Sequence, residues 1–312
     1  MKNSILVAVG GNSLIRAGQR GTIAEQRENA RLTAECIVGF VARGFSLIVT
    51  HGNGPQVGAQ LLRSESGSSQ TYALPLDICV AMTQGEIGFA LQNSMQMAFR
   101  KHNIHRQVVT ILTQVIVDKN DLAFQHPTKP IGPFYSKETA ERKRKELGWN
   151  IIEDAARGYR RVVASPLPKD IVEFEAIKGC LERNIVVVAA GGGGIPVIIE
   201  DGDVKGIEAV IDKDRASALL AAKLGIEHFM ISTEVPEVYI NYRKSNQQKI
   251  RRMNIVEAEK HFADGQFSEG SMKPKIEAAL DFLKNGGAMV TITDPEHLIV
   301  ALDGDAGTRI TK

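Results

Sequence analysis

Short, β-branched apolar runs recur along this chain, and several stop at glycine. Ser4 to Val9 ends at Gly10, Gly11 and Asn12; Phe45 to Thr50 ends at HGNGPQVG, His51 to Gly58; Ile185 to Ala190 ends at four glycines, Gly191 to Gly194. Runs this short and this uniformly apolar are those of strands buried on both faces of a parallel sheet. Between them the apolar positions take helical spacing. Leu32, Cys36, Ile37, Phe40 and Val41 share one face, and Gly44 closes that helix. Asp77 to His102 is a long helical stretch whose Met and Phe residues read as core or subunit-interface filler. A helix rich in Ala and Leu follows from about Asp214, and another follows GSMKPK, Gly270 to Lys275, with Ile276, Ala279, Leu280 and Leu283 on one face. Further strands are predicted at Gln107 to Val117, Phe229 to Thr233, Val238 to Asn241 and Ala288 to Ile292, with a last one at His297 to Leu302. The alternation reads as an α/β fold.

One segment breaks the pattern. Residues 118–168 hold five of the eleven prolines, and PTKPIGPFY, Pro127 to Tyr135, fits neither regular helix nor a central strand. It reads as a small lobe protruding from the sheet, with Lys129 on a stiff backbone that could carry a cation over a crevice.

Composition narrows the function without choosing it. Over 312 residues, 43% apolar and 24% charged, the chain has ample core for a globular protein. Lysines and arginines number 38 against 36 acids, so no global field favours nucleic acid or a membrane surface. Arg142 to Lys145, flanked by Glu141 and Glu146, reads as a solvated helix face. The N-terminal apolar run is too short for a signal peptide, and no run reaches membrane-spanning length. Cys36, Cys79 and Cys180 lie far apart, without metal-ligand spacing, as buried thiols in a reducing compartment do. These features point to the cytoplasm.

The glycine-ended strands suggest the chemistry. In open parallel sheets ligands bind at the carboxyl ends of strands, so the three loops are expected to converge on one crevice. Consecutive glycines let backbone N–H groups approach an anion, and a helix opening at Lys213 and Asp214 adds a cation, a carboxylate and a positive dipole end. Neither a Walker A sequence nor GxGxxG is present, since Pro196 takes the last glycine position of the best attempt. Lys275 falls in the first turn of its helix, where the dipole disfavours a cation, which calls for an anionic partner.

Taken together, GGN at Gly10, HGNGPQVG at His51, TQGEIG at Thr83, PTKPIGPFY at Pro127, AAGGGGIPV at Ala189, EAVIDKD at Glu208 and GSMKPK at Gly270 resemble the carbamate kinases of the amino acid kinase superfamily, in family order over the whole chain. The resemblance implies a three-layer αβα sandwich around an open, mainly parallel sheet. It implies one domain, 1–312, with a carbamoyl-substrate half (1–205, including a lid at about 118–168) and a nucleotide-binding half (206–312). It also implies a homodimer and the reversible reaction of carbamoyl phosphate with ADP to give ATP and carbamate, with Mg²⁺. By that pattern Gly10, Gly11, Asn12, Gly52, Asn53 and Gly54 hold the carbamoyl substrate, and Lys213, Thr233, Tyr239, Met272 and Lys275 the nucleotide. Lys129, Lys213, Asp214 and Lys275 form the catalytic set, with Asp214 orienting Lys213 and Lys275 by ion pairing.

Such a set suits phosphoryl transfer, which asks for in-line positioning and charge neutralisation. Carbamate has no side chain, so glycine amides and one amide side chain, Asn12 or Asn53, match its size. Ser13, Lys273 and NYRK, Asn241 to Lys244, depart from the family pattern. They leave open a paralogue with altered or lost activity. Another kinase of the superfamily, acting on an amino acid or UMP, is the other alternative, which the proline-rich lobe argues against.

Overall fold

The computed structural model describes residues 3–16, 18–153 and 158–312. Its centre is an eight-stranded sheet in the order Arg252–Asn254, Thr308–Thr311, Met289–Thr293, His228–Ser232, Ser4–Val9, Ser46–His51, Val186–Val188, Val108–Thr110. All of its pairings are parallel except that of Met289–Thr293 with Thr308–Thr311.

The uniformly apolar strands follow from burial on both faces. Along Ser4–Val9, Leu6 and Ala8 point to one side, where they pack with Ala216 and Leu220 of helix Lys213–Lys223 and Phe282 of helix Met272–Lys284. Ile5, Val7 and Val9 point to the other side, into a core shared with helices Ile23–Ala42 and Leu76–Lys101. Helix, sheet and helix make the three layers of an αβα sandwich.

Chain direction sets where the crevice lies. From Ser4–Val9 the chain moves one way to Ser46–His51 and Val186–Val188, and returns on the other side as His228–Ser232 and Met289–Thr293. The order reverses beside the first strand, which opens a gap at the carboxyl ends of the strands.

The proline-rich segment forms a three-stranded sheet of its own, in the order Lys129–Tyr135, Tyr159–Val163, Ile151–Glu153, with helix Lys137–Leu147. Lys129–Tyr135 is an edge strand, the place a sheet tolerates proline. The lobe rests on helix Gly54–Gly67 through two glycines. A Cβ on Gly58 would lie 2.6 Å from the Cα of Gly132. HGNGPQVG and PTKPIGPFY therefore carry glycines that face each other.

Several expectations change. Gln107–Val117 is not one strand but two, Val108–Thr110 in the large sheet and Gln114–Val117 in a four-stranded sheet. Gln84 makes the break. Its side-chain amide donates to Thr113 O at 3.1 Å, and its carbonyl accepts from Thr113 N–H at 2.8 Å. His297–Leu302 is helical, not a strand, because Asp294 caps that turn by accepting from His297 N–H at 3.0 Å. The last strand is Thr308–Thr311. Most of HGNGPQVG opens a helix, not a loop.

Candidate active site

The crevice is a cleft of about 590 Å³ at the strand ends, lined by Gly10, Gly11, Lys213, Ser232, Thr233 and Lys275, among others. Three strand-end loops meet there at backbone distance. A Cβ on Gly10 would lie 3.1 Å from Ser232 O, and one on Gly52 would lie 2.9 Å from Gly11 N and 3.7 Å from the Lys213 side chain. Bulk at either glycine would wedge the loops apart.

The charged groups form one cluster. Lys213 Nζ lies 2.7 Å from Asp214 Oδ1, and Lys275 Nζ lies 3.2 Å from Asp214 Oδ2. Asp214 is thus the anionic partner that Lys275 required. Its own residue is 3% exposed, and the two lysine side chains are 12% and 15% exposed. Burial would raise the Asp214 pKa, but the two ammonium groups outweigh it and hold the carboxyl below its ordinary value. Burial would likewise lower Lys275, and Asp214 and Asp212 outweigh it, so its pKa is raised.

Lys129 enters from the lobe and lies 2.8 Å from Asp212 Oδ2. Asp212 is a residue that the sequence reading passed over inside VIDKD. Its other oxygen caps helix Lys213–Lys223, accepting from Asp214 N–H at 2.9 Å. An aspartate directly before an Ala/Leu-rich helix is a strong N-cap signal, and that signal marks the residue.

The remaining expected residues divide. Gly54 is exposed at the first turn of its helix. Asn53 is buried, with its amide donating to Thr83 Oγ1 at 2.9 Å, so its side chain is pinned to the neighbouring helix. The side chain of Asn12 lies outside the described residues. Thr233 lines the cleft, and its N–H donates to Thr293 O at 2.8 Å. Tyr239 sits on a separate hairpin with its ring 6.0 Å from that of Tyr242, and Met272 begins the helix that carries Lys275. Neither is part of the cleft lining.

Gly191 to Gly194 are buried and serve packing. A Cβ on Gly191 would meet His51 Nε2 at 2.3 Å, and one on Gly192 would meet Asn53 Nδ2 at 2.1 Å. The run lets one loop nest against another, beside the cleft. Gln84 holds it there by donating to Gly191 O at 3.0 Å. Ser232 is a further cleft residue absent from the sequence reading. Its Oγ is buried without a protein hydrogen-bond partner. Among the described residues no group of three or more His, Cys, Asp or Glu side chains is placed to hold a metal ion.

The family model described as "Amino acid kinase family" matches residues 3–294. The chain belongs to the amino acid kinase family. Among curated members of this family it is 46% identical to the carbamate kinase of Pyrococcus furiosus, over 99% of each chain. It is 48% identical to that of Staphylococcus haemolyticus, over 99% of this chain and 100% of the relative. Among solved structures, the Giardia lamblia carbamate kinase bound to AMP-PNP superposes with a TM-score of 0.94 at 39% identity, covering 99% of this chain and 98% of that one.

Proposed function

We propose that this chain is a carbamate kinase, transferring the phosphoryl group of carbamoyl phosphate to ADP, reversibly, to give ATP and carbamate. The observation that carries this reading is the cluster of three lysines on Asp212 and Asp214 at a helix N-terminus, beside glycine-built strand ends. The full-length similarity to carbamate kinases supports the choice of substrate.

The geometry fits the reaction. A β-phosphate oxygen of ADP attacks phosphorus, and the bond to the carbamoyl oxygen breaks as carbamate leaves. The glycine loops at Gly10, Gly11, Gly52 and Gly54, with Asn12 or the backbone of Asn53, take the small carbamoyl end; the N–H of Gly52 itself is held by Val9 O at 3.1 Å, so that glycine serves close approach. Lys213 and Lys275, aimed by Asp214, neutralise charge on the moving group, and Lys129 adds a third cation from the lid. Thr233, Tyr239 and Met272 belong to the nucleotide side, in residues 206–312, while residues 1–205 hold the carbamoyl side and the lid at 118–168. Mg²⁺ suits a site of this kind because it keeps several waters and binds through substrate phosphates, needing few protein ligands. Bound so, it supplies charge neutralisation on the nucleotide, and the aspartates nearest the cluster are already engaged by lysines.

The chain also acts as a homodimer in this proposal. Ile78, Met82 and Phe89 are exposed on one face of helix Leu76–Lys101, at 43%, 42% and 62%, a stripe that a second copy would cover. No described helix is long and apolar enough to cross a membrane. The three cysteines are free, which supports a reducing, cytoplasmic setting.

The deciding experiment is ATP formation from ADP, Mg²⁺ and carbamoyl phosphate, with Lys213→Ala as control. Rapid ATP production that the variant loses is the expected result. A folded chain that binds ADP but makes no ATP would overturn the proposal, and acid substrates would then be tried.

A further inference from the structure

The lid meets the cleft through the Lys129 ammonium, so whatever holds that atom decides where the lid's charge falls. In this structure Asp212 holds it at 2.8 Å. We propose that Asp212 is the positioning residue for Lys129, seating the lid's cation at the start of the helix that carries Lys213 and Asp214. This rests on the phosphotransferase reading above.

Three observations carry the inference. First, the two carboxylate oxygens of Asp212 have separate tasks. Oδ1 accepts from Asp214 N–H at 2.9 Å and Arg215 N–H at 3.4 Å, while Oδ2 takes Lys129. The carboxylate therefore cannot turn without uncapping the helix, and Lys129 is referenced to the backbone that fixes Lys213.

Second, the pair is withdrawn from water. The Asp212 side chain is 13% exposed and that of Lys129 33%, unlike a surface ion pair that solvent screens to nothing. Third, Asp212 gives Lys129 a carboxylate of its own. Three ammonium groups share two carboxylates, and Asp214 already serves Lys213 and Lys275. Without Asp212, three cations would share Asp214, and the most exposed of them, Lys129 on the lid, would be released first.

The other ties between lid and body do not do this. Lys143 reaches Glu65 at 2.5 Å near the far end of helix Gly54–Gly67, Arg161 reaches Glu208 at 3.2 Å, and Gly132 rests on Gly58. They hold the lobe down but leave the end of the Lys129 side chain unplaced.

Asp212 could instead be a helix cap and nothing more, and a double-mutant cycle separates the two. Asn caps a helix about as well as Asp, so Asp212→Asn keeps the cap and removes the charge. In the full-length protein Asp212→Asn is expected to lower kcat/KM for carbamoyl phosphate roughly ten- to a hundredfold, through coupling to its neighbour. Placed in a Lys129→Met background, it should cost several-fold less, the remainder being the field of Asp212 on Lys213 and Lys275. An equal loss in both backgrounds would overturn the proposal.

A second readout does not depend on turnover. Trp149, the one tryptophan of the chain, lines a cavity of about 810 Å³ between lid and body. Acrylamide quenching of its fluorescence should rise to a similar degree in Asp212→Asn, Lys129→Met and the double variant. Quenching unchanged in Asp212→Asn would overturn the seating role. If the wild-type protein makes no ATP, the carbamate kinase reading fails while this quenching cycle still decides the Asp212–Lys129 contact.

Discussion

Replacing Asp214 by alanine removes the one carboxylate that Lys213 and Lys275 share. Asp214 is 3% exposed, and both lysine side chains are under one-fifth exposed, so water replaces the lost partner poorly. Removing one member of a buried ion pair typically destabilises by about 3–5 kcal/mol. The cleft admits some water and Asp212 remains as a second counter-charge, so the lower end, about 3 kcal/mol, applies here. That is a sizeable part of the roughly 5–15 kcal/mol by which a domain is stable.

The rate should fall further than the stability. Loss of one transition-state contact of this class costs about 10²–10³ in kcat. Lys213 and Lys275 act through one carboxylate, so their losses will not multiply, and about 10³ is expected for the pair. Asp214→Asn keeps the shape and removes only the charge, so it should lose nearly as much rate with a smaller drop in urea midpoint. The assay is ATP formation from carbamoyl phosphate beside urea unfolding at pH 7.5. An alanine variant with kcat within a few-fold of wild type and an unchanged midpoint would refute the view that Asp214 organises the two lysines.

Other outcomes follow from the same geometry. Lys129→Ala and Lys213→Ala should each lower kcat by about 10²–10³, and near-normal turnover in either would remove that lysine from the catalytic set. Gly192→Ala puts a Cβ 2.1 Å from Asn53 Nδ2 on a backbone with φ of 67°. Overpacking and left-handed strain together predict a loss of at least about 2 kcal/mol, read as a lower urea midpoint, and an unchanged midpoint would refute the packing role of the glycine run. Burial pushes His228 down from 6.5 to about 4. The unfolded chain therefore takes a proton that the native state refuses, and stability falls as pH drops from about 6.5 toward 4, by up to about 3 kcal/mol. His51, buried and likewise pushed to about 4, shares this window, so His228→Gln should remove only part of that dependence, and an unaltered slope would count against it. Asp214 works in a lower window: its depressed pKa supports the fold above the ordinary aspartate value and is lost as pH falls below it. Chelating Mg²⁺ with EDTA should stop ATP formation and leave the melting temperature of the ligand-free protein unchanged; a fall in that temperature would point to a structural metal.

The central strands of the large sheet were legible because helices cover both faces, whereas Arg252–Asn254 and Thr308–Thr311, at one end of it, were not expected. Ser4–Val9 and His228–Ser232 are buried throughout, so apolarity alone marks them. The lysine–aspartate cluster was legible too, since Lys213 and Lys275 each stand at a helix start that needs an anion. What escaped were residues whose work lies in a distant partner. The chain leaves one sheet for another at Thr113 because Gln84, 29 positions earlier, captures its backbone. The four glycines look like an anion cradle until His51, Asn53, Ile211 and Val115 are seen in the space their side chains would need. His297–Leu302 failed for a different reason: six residues of apolar pattern suit strand or helix equally, and only the cap at Asp294 decides. Asp212 combines both difficulties. Its cap is local and readable, but its second oxygen serves Lys129, 83 positions away across a lobe whose placement depends on one glycine facing another. A sequence motif can name Asp214 as the partner of Lys213 beside it; the carboxylate that meets a lysine on a distant lobe is found only once the chain has folded back on itself.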